Sequence, residues 1–133
     1  MKAKRIILVE DDADDIELFE TFLSNREDIE LLPPVHNGIE LINYLQNIVD
    51  GNQMPDLIVL DQNMPLMSGK ETLKVLKSSE LLSKIPAVIY STYTDSSLII
   101  DCKNLGADMV AVKPIDEEGY VKMMDDFLLM LAK

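Results

Sequence analysis

The chain has 133 residues, 47% of them hydrophobic, which suits one domain with a real core. Its 24 acids against 12 bases leave a formal charge of −12, which excludes nucleic acid and an anionic membrane surface as partners, because both need a basic face. Cys102 and His36 are the only residues of their types, which excludes a disulfide framework, a thiolate zinc cluster and an HExxH metal site, and leaves a Ser-His-Asp or Cys-His triad without support.

MKAKR leads straight into an apolar run, Arg5–Val9 (RIILV), which predicts a buried strand. No apolar stretch reaches the length of a membrane span and no small-residue cleavage site follows, so a cytoplasmic location is expected. Asp14–Ser24 predicts a helix with Ile16, Phe19 and Leu23 on one face. Glu30–Val35 predicts a weaker strand, shortened or pushed to an edge by Pro33 and Pro34. Ile39–Ile48 is helical in period, with Ile39, Ile42, Leu45 and Val49 in register and Asp50-Gly51-Asn52 as its break. Then come a strand at Leu57–Leu60 (LIVL), a helix at Gly69–Ser78, a strand at Ala87–Tyr90 (AVIY) and a helix at Asp95–Leu105. A strand at Met109–Val112 (MVAV) and a helix from Asp116 to Leu131 complete the chain. Strict alternation with continuously apolar strands predicts a parallel sheet covered by helices on both sides. No repeat or linker divides the chain, so residues 1–133 are expected to form one domain.

Ligands of such sheets sit beyond the carboxyl ends of the strands, at a switch point in strand order. After the first strand come Glu10, Asp11 and Asp12, within VEDDADD; after the third, Asp61; after the fourth, Ser91 and Thr92; after the fifth, Lys113. Two carboxylates ~4 Å apart repel by on the order of 4 kcal/mol at an effective dielectric near 20, so the cluster needs a reason. Hard oxygen ligands suit Mg²⁺, a lysine and a hydroxyl suit phosphoryl oxygens, and Asp61 is left as a carboxylate nucleophile. Asp12, Asp14 and Asp15 have a plainer reading as helix caps, macrodipole partners or solvated surface. Without metal, Glu10, Asp11 and Asp61 should all be pushed toward higher pKa, and Mg²⁺ should raise the melting temperature.

The four strand ends, ILVEDD at Ile7–Asp12, LDQNMPLMSG at Leu60–Gly69, the Ser91 hydroxyl and VKPI at Val112–Ile115, together resemble the receiver domain of two-component response regulators. The resemblance runs from Lys4 to about Ala132, and without an output domain the chain resembles the single-domain, chemotaxis-regulator form. It implies the flavodoxin-like (βα)5 fold, with five parallel strands in the order 2-1-3-4-5. It implies that Asp61 accepts a phosphoryl group from a histidine kinase or a histidine phosphotransfer protein. Glu10, Asp11, Asp61 and the Asn63 backbone carbonyl would hold Mg²⁺, with Mn²⁺ as a substitute. Lys113 would pair with Asp61 and then with the phosphoryl oxygens, while Ser91 and Thr92 would act at the switch. Pro114 would follow a cis peptide bond. Output would come through altered protein binding, at the face of the fourth helix, fifth strand and fifth helix, from a protein monomeric at rest.

Three positions depart from the family's usual pattern. Val110 stands where an aromatic switch residue is usual, and Ser68 replaces the usual acid before Gly69. Tyr93 is bulky at a place that, with Asn63, gates dephosphorylation. An Mg²⁺-dependent phosphohydrolase with an aspartate nucleophile would carry a second acid two residues on, where this chain has Asn63. A flavin carrier of the same strand order would need a hydroxyl- and glycine-rich loop after the first strand, where this chain has acids. A receiver that works without phosphorylation would not need Asp61, Lys113, Ser91 and Asp11 all intact. His36 reads as a surface residue, Cys102 as core, Tyr90 as helix packing opposite Ser91, and Tyr120 and Met123 as straddling core and surface.

Overall fold

A computed structural model describes residues 2–48 and 53–133. Its elements are β1 (Lys4–Val9), α1 (Ala13–Leu23), β2 (Ile29–Leu31), α2 (Gly38–Gln46), β3 (Leu57–Asp61), α3 (Gly69–Ser78), β4 (Ala87–Ser91), α4 (Ser96–Asn104), β5 (Met109–Val112) and α5 (Glu117–Leu131). One sheet holds all five strands, parallel, in the order β2-β1-β3-β4-β5. The fold is therefore the flavodoxin-like one that the alternation and the resemblance implied. The expected helix register at Val49 and break at Asp50-Gly51-Asn52 lie outside the described residues.

Right-handed crossovers explain the layering. The chain moves one way from β1 to β2, then back across the sheet through β3, β4 and β5, so α1 packs on one face and α2, α3 and α4 on the other. Strand side chains alternate between these faces. Ile7, Val9, Ile58, Leu60, Ala87 and Ile89 meet Leu41, Leu45, Leu73, Leu76 and Cys102. Ile6, Leu8, Val59, Val88 and Tyr90 meet Phe19 and Leu23 of α1 and Tyr120, Met124 and Phe127 of α5. Each fully buried Leu, Ile or Phe contributes roughly 1.5–3 kcal/mol of transfer free energy.

The helices start where short polar side chains replace missing backbone partners. Asp12 accepts from the Asp14 and Asp15 N–H groups, Asn37 from Glu40, Asp95 from Leu98 and Asp116 from Gly119. Ser68, the departure from the family pattern, forms a capping box with Glu71 at the start of α3. The predicted starts at Asp95 and Asp116 were thus the caps rather than the first helical turns. β2 is only three residues long, and Pro33-Pro34 explains its end, since proline gives no ladder donor. The chain regains the sheet only at Val35, through a bridge to Val9. A short 3₁₀ turn at Leu82–Lys84 was not predicted.

Gly69 is fixed by close approach: a Cβ there would lie 2.5 Å from the Asp61 carbonyl oxygen and 2.9 Å from Gln62 Cα. Its N–H donates to the Gln62 carbonyl at 3.0 Å, which folds the Asp61-to-Gly69 loop back over the end of β3.

Candidate functional site

The β1 and β3 connections leave in opposite directions, and the crevice between them is the switch point of the sheet. The register pairs Val9 with Leu60 and Asp61 with Tyr90, so Glu10, Asp61 and Tyr90 follow one another across three neighbouring strand ends. Glu10 is 0% exposed and Asp61 1%, and buried carboxylates require partners. Lys113, from the end of β5, supplies them. Its Nζ lies 2.9 Å from Glu10 Oε1, 3.2 Å from Asp61 Oδ1 and 2.9 Å from Asp15 Oδ2. The Asn63 N–H donates to Asp61 Oδ1 at 3.3 Å, and the Asp12 N–H to Glu10 Oε2 at 3.2 Å.

One cation cannot neutralise three carboxylates. Burial, then the adjacent Glu10, pushes Asp61 up to about 7 against the pull of Lys113. Burial would raise Glu10 as well, but hydrogen bonds from Asp61, Tyr90 and Lys113 hold it below the ordinary carboxylate value. The expected upward displacement therefore holds for Asp61 and reverses for Glu10, which receives the Tyr90 hydroxyl and the shorter contact with Lys113. Burial works against the Lys113 charge, yet its bonds to Asp15 and Glu10 raise its pKa and keep it protonated.

Carboxylate oxygens of Glu10, Asp11 and Asp61 lie within 4.8 Å of one another, with Asp11 exposed at the mouth. This hard-oxygen set, with excess negative charge, fits a divalent cation, which these three residues would hold. Ser91, buried at the end of β4, stands beside the crevice, and its backbone carbonyl accepts from the Lys113 N–H at 2.9 Å. Thr92, Asn63 and Tyr93 are exposed at the rim.

The Lys113–Pro114 bond departs from expectation: no peptide bond among the described residues is cis. The two isomers before proline differ by only about 0.5–1 kcal/mol, so surroundings decide. Here the Pro114 ring rests against Gly119 in the first turn of α5, where a Cβ would come within 2.9 Å of it. Two further residues join the site. Asp15, a helix-start acid by its position, also binds Lys113. Tyr90 packs against Phe19 as expected, but its hydroxyl donates to Glu10 Oε1 at 2.6 Å. Only the strand register, which levels Tyr90 with Asp61, carries a signal for the second.

A family model described as the response regulator receiver domain matches residues 6–125. The chain belongs to that family. This receiver domain is 32% identical over 130 residues to a protein-glutamate methylesterase/protein-glutamine glutaminase of Clostridium acetobutylicum, covering 96% of the chain but 36% of that protein. The chain thus spans about a third of that relative's length. Among solved structures it resembles the phosphorylated cyanobacterial phytochrome response regulator RcpA, with a TM-score of 0.81 and 30% identity over 95% of this chain and 91% of that one. It also resembles the Mn²⁺-bound form of response regulator Rcp1, with a TM-score of 0.77 and 28% identity over 93% of this chain and 91% of that one. Among the described residues no helix is long and apolar enough to cross a membrane.

Proposed function

We propose that this receiver domain takes a phosphoryl group onto Asp61 from a phosphohistidine of a kinase or phosphotransfer protein, in an Mg²⁺-dependent reaction, and signals by altered protein binding. The observation that carries the reading is the position of Asp61, buried at a strand end beside two further acids and 3.2 Å from Lys113. An Asp61 oxygen attacks phosphorus as the P–N bond breaks, and the electron pair of that bond stays on the donor histidine. The protein's part is positioning and charge neutralisation. Lys113 offsets negative charge on Asp61 before transfer and on the phosphoryl oxygens after it. Ser91 offers its hydroxyl to a phosphoryl oxygen, and Thr92 lies next to it at the start of the loop that would respond. Bound Mg²⁺, held by Glu10, Asp11, Asp61 and the Asn63 carbonyl, would supply further positive charge at the phosphoryl group.

The transfer is the domain's own modification and turns over no external product. Output belongs to the face of α4, β5 and α5, where Ile100 and Val112 stand exposed. The test is intact mass after incubation with acetyl phosphate and Mg²⁺. One added phosphoryl group, absent without metal and absent in Asp61→Asn, is expected. No adduct, together with no response to beryllofluoride, overturns the reading.

A further inference from the structure

Tyr90 is 0% exposed, and a phenol buried this deeply needs a partner for its hydroxyl. It has one in Glu10 Oε1, at 2.6 Å, the same oxygen that Lys113 reaches at 2.9 Å. The Lys113 ammonium also lies 4.9 Å from the centre of the Tyr90 ring. Phe19 of α1 meets that ring edge-on at 6.4 Å and is itself backed by Tyr120 of α5 at 6.3 Å, so the ring is braced by a row of packed aromatics. One rigid side chain thus touches both the acid and the base of the site.

We propose that Tyr90 is a positioning residue of the metal and phosphoryl site, its hydroxyl fixing the Glu10 carboxylate and its ring supporting Lys113. This rests on the phosphoacceptor reading above. Oε1 takes two donors, whereas Oε2 accepts only the Asp12 N–H at 3.2 Å and keeps a lone pair for a cation. When Lys113 turns to phosphoryl oxygens, Glu10 loses a charged partner while remaining buried. Tyr90 then keeps the carboxylate paired and aimed, as outer partners of metal ligands commonly do.

Tyr90→Phe removes the hydroxyl and keeps the ring. The chain has no tryptophan, so Mn²⁺ binding is best followed by electron paramagnetic resonance on the full chain. Tyr90→Phe should weaken Mn²⁺ by about 10-fold or more, and saturating metal should restore phosphorylation by acetyl phosphate. Phe127→Leu, a change in the same core away from the site, should leave Mn²⁺ affinity unchanged while lowering the melting temperature. Adding Tyr90→Phe to Glu10→Gln should cost little further affinity, because the hydroxyl acts through that carboxylate. A Tyr90→Phe affinity within twofold of the parent, in a parent that binds Mn²⁺ and takes the phosphoryl group, overturns the role of Tyr90 alone. So does a loss that Phe127→Leu reproduces. A parent that neither binds Mn²⁺ nor is phosphorylated overturns both readings.

Discussion

The two faces of the sheet do different work, although the same strands build both. The α2–α4 face is aliphatic: Ile7, Val9, Ile58, Leu60 and Ile89 meet leucines and Cys102, and among the described residues no carboxylate is buried there. The α1/α5 face begins with Ile6, Leu8, Val59 and Val88, turns aromatic at Phe19, Tyr90 and Tyr120, and ends in Glu10 and Asp61, with Lys113 closing over them. A step of one residue along β4, from Ile89 to Tyr90, passes from packing to chemistry. Substitutions on the first face should therefore change stability alone, and those at the top of the second should change stability and chemistry together.

The largest expected effects come from Leu73→Ala and Lys113→Ala. Leu73 is 0% exposed, and its truncation should lose about 2–5 kcal/mol with the phosphorylation rate by acetyl phosphate unchanged below the new melting temperature. Lys113→Ala breaks a buried ion pair, for which losses of about 3–5 kcal/mol are typical, and should slow phosphorylation by about 10²-fold or more. Its stability loss should shrink at low pH, where the abandoned carboxylates take up protons; that of Leu73→Ala should not. Urea unfolding at pH 5 and pH 8 separates them, and equal pH dependence would erase the contrast between the faces.

The coupled acids make the second prediction. Asp61 sits near 7 in the folded chain against an ordinary 3.8. Between about pH 4 and pH 7 the folded state holds a proton that the unfolded state has lost, so stability must fall as pH rises through that window. Glu10, held below its ordinary 4.5, acts in the opposite sense: its contribution is present above that value and lost in acid. In EDTA the stability curve should therefore peak near pH 4–5. Asp61→Asn should flatten the neutral side, by on the order of 2–4 kcal/mol between pH 5 and pH 8, and leave the acid side. A decline of equal slope in both proteins would show that the pressure lies elsewhere.

What the sequence made legible follows the range of the interactions. β5 and α3 were readable to the residue because Met109–Val112 and Gly69–Ser78 carry their own pattern, and Gly69 its own necessity. The strand ends named Glu10, Asp11, Asp61, Ser91 and Lys113 because a parallel sheet gathers them without further information. Asp15 and Tyr90 were hidden because their site partners lie 98 and 80 residues away. A capping acid and a ligating acid read alike until the helix is docked. The Lys113–Pro114 isomer was hidden for another reason: the intrinsic preference is nearly neutral, and the ring's contact with Gly119 exists only once the first turn of α5 has formed.

A smaller effect is expected at the rim, where neither core is touched. Tyr93 is 73% exposed, two residues beyond Ser91. If its ring shields the aspartyl-phosphate from water, Tyr93→Ala should shorten the phosphoryl lifetime several-fold while leaving the melting temperature in place. An unchanged lifetime, followed by loss of the mass adduct over time, would remove Tyr93 from the gate.

The smallest effect tests the loop after Asp61. Leu66 has φ of 70°, alone among the described non-glycine residues in being positive, and its side chain is 80% exposed. A left-handed backbone costs an L-residue with a branched side chain roughly 1–2 kcal/mol, and so exposed a leucine recovers little by burial. The loop imposes it: the Met67 N–H donates to the Pro65 carbonyl at 2.7 Å, and Gly69 is pinned to Gln62 three residues later. Asparagine tolerates this conformation, so Leu66→Asn should stabilise by about 1 kcal/mol, a few degrees in a domain of this size. Leu66→Gly should gain less, because glycine also enlarges the unfolded ensemble. Both gains should appear in EDTA as in Mg²⁺. If they appear only with metal, the strain is coupled to the acidic site, and the border drawn between packing and chemistry would have to move to include this loop.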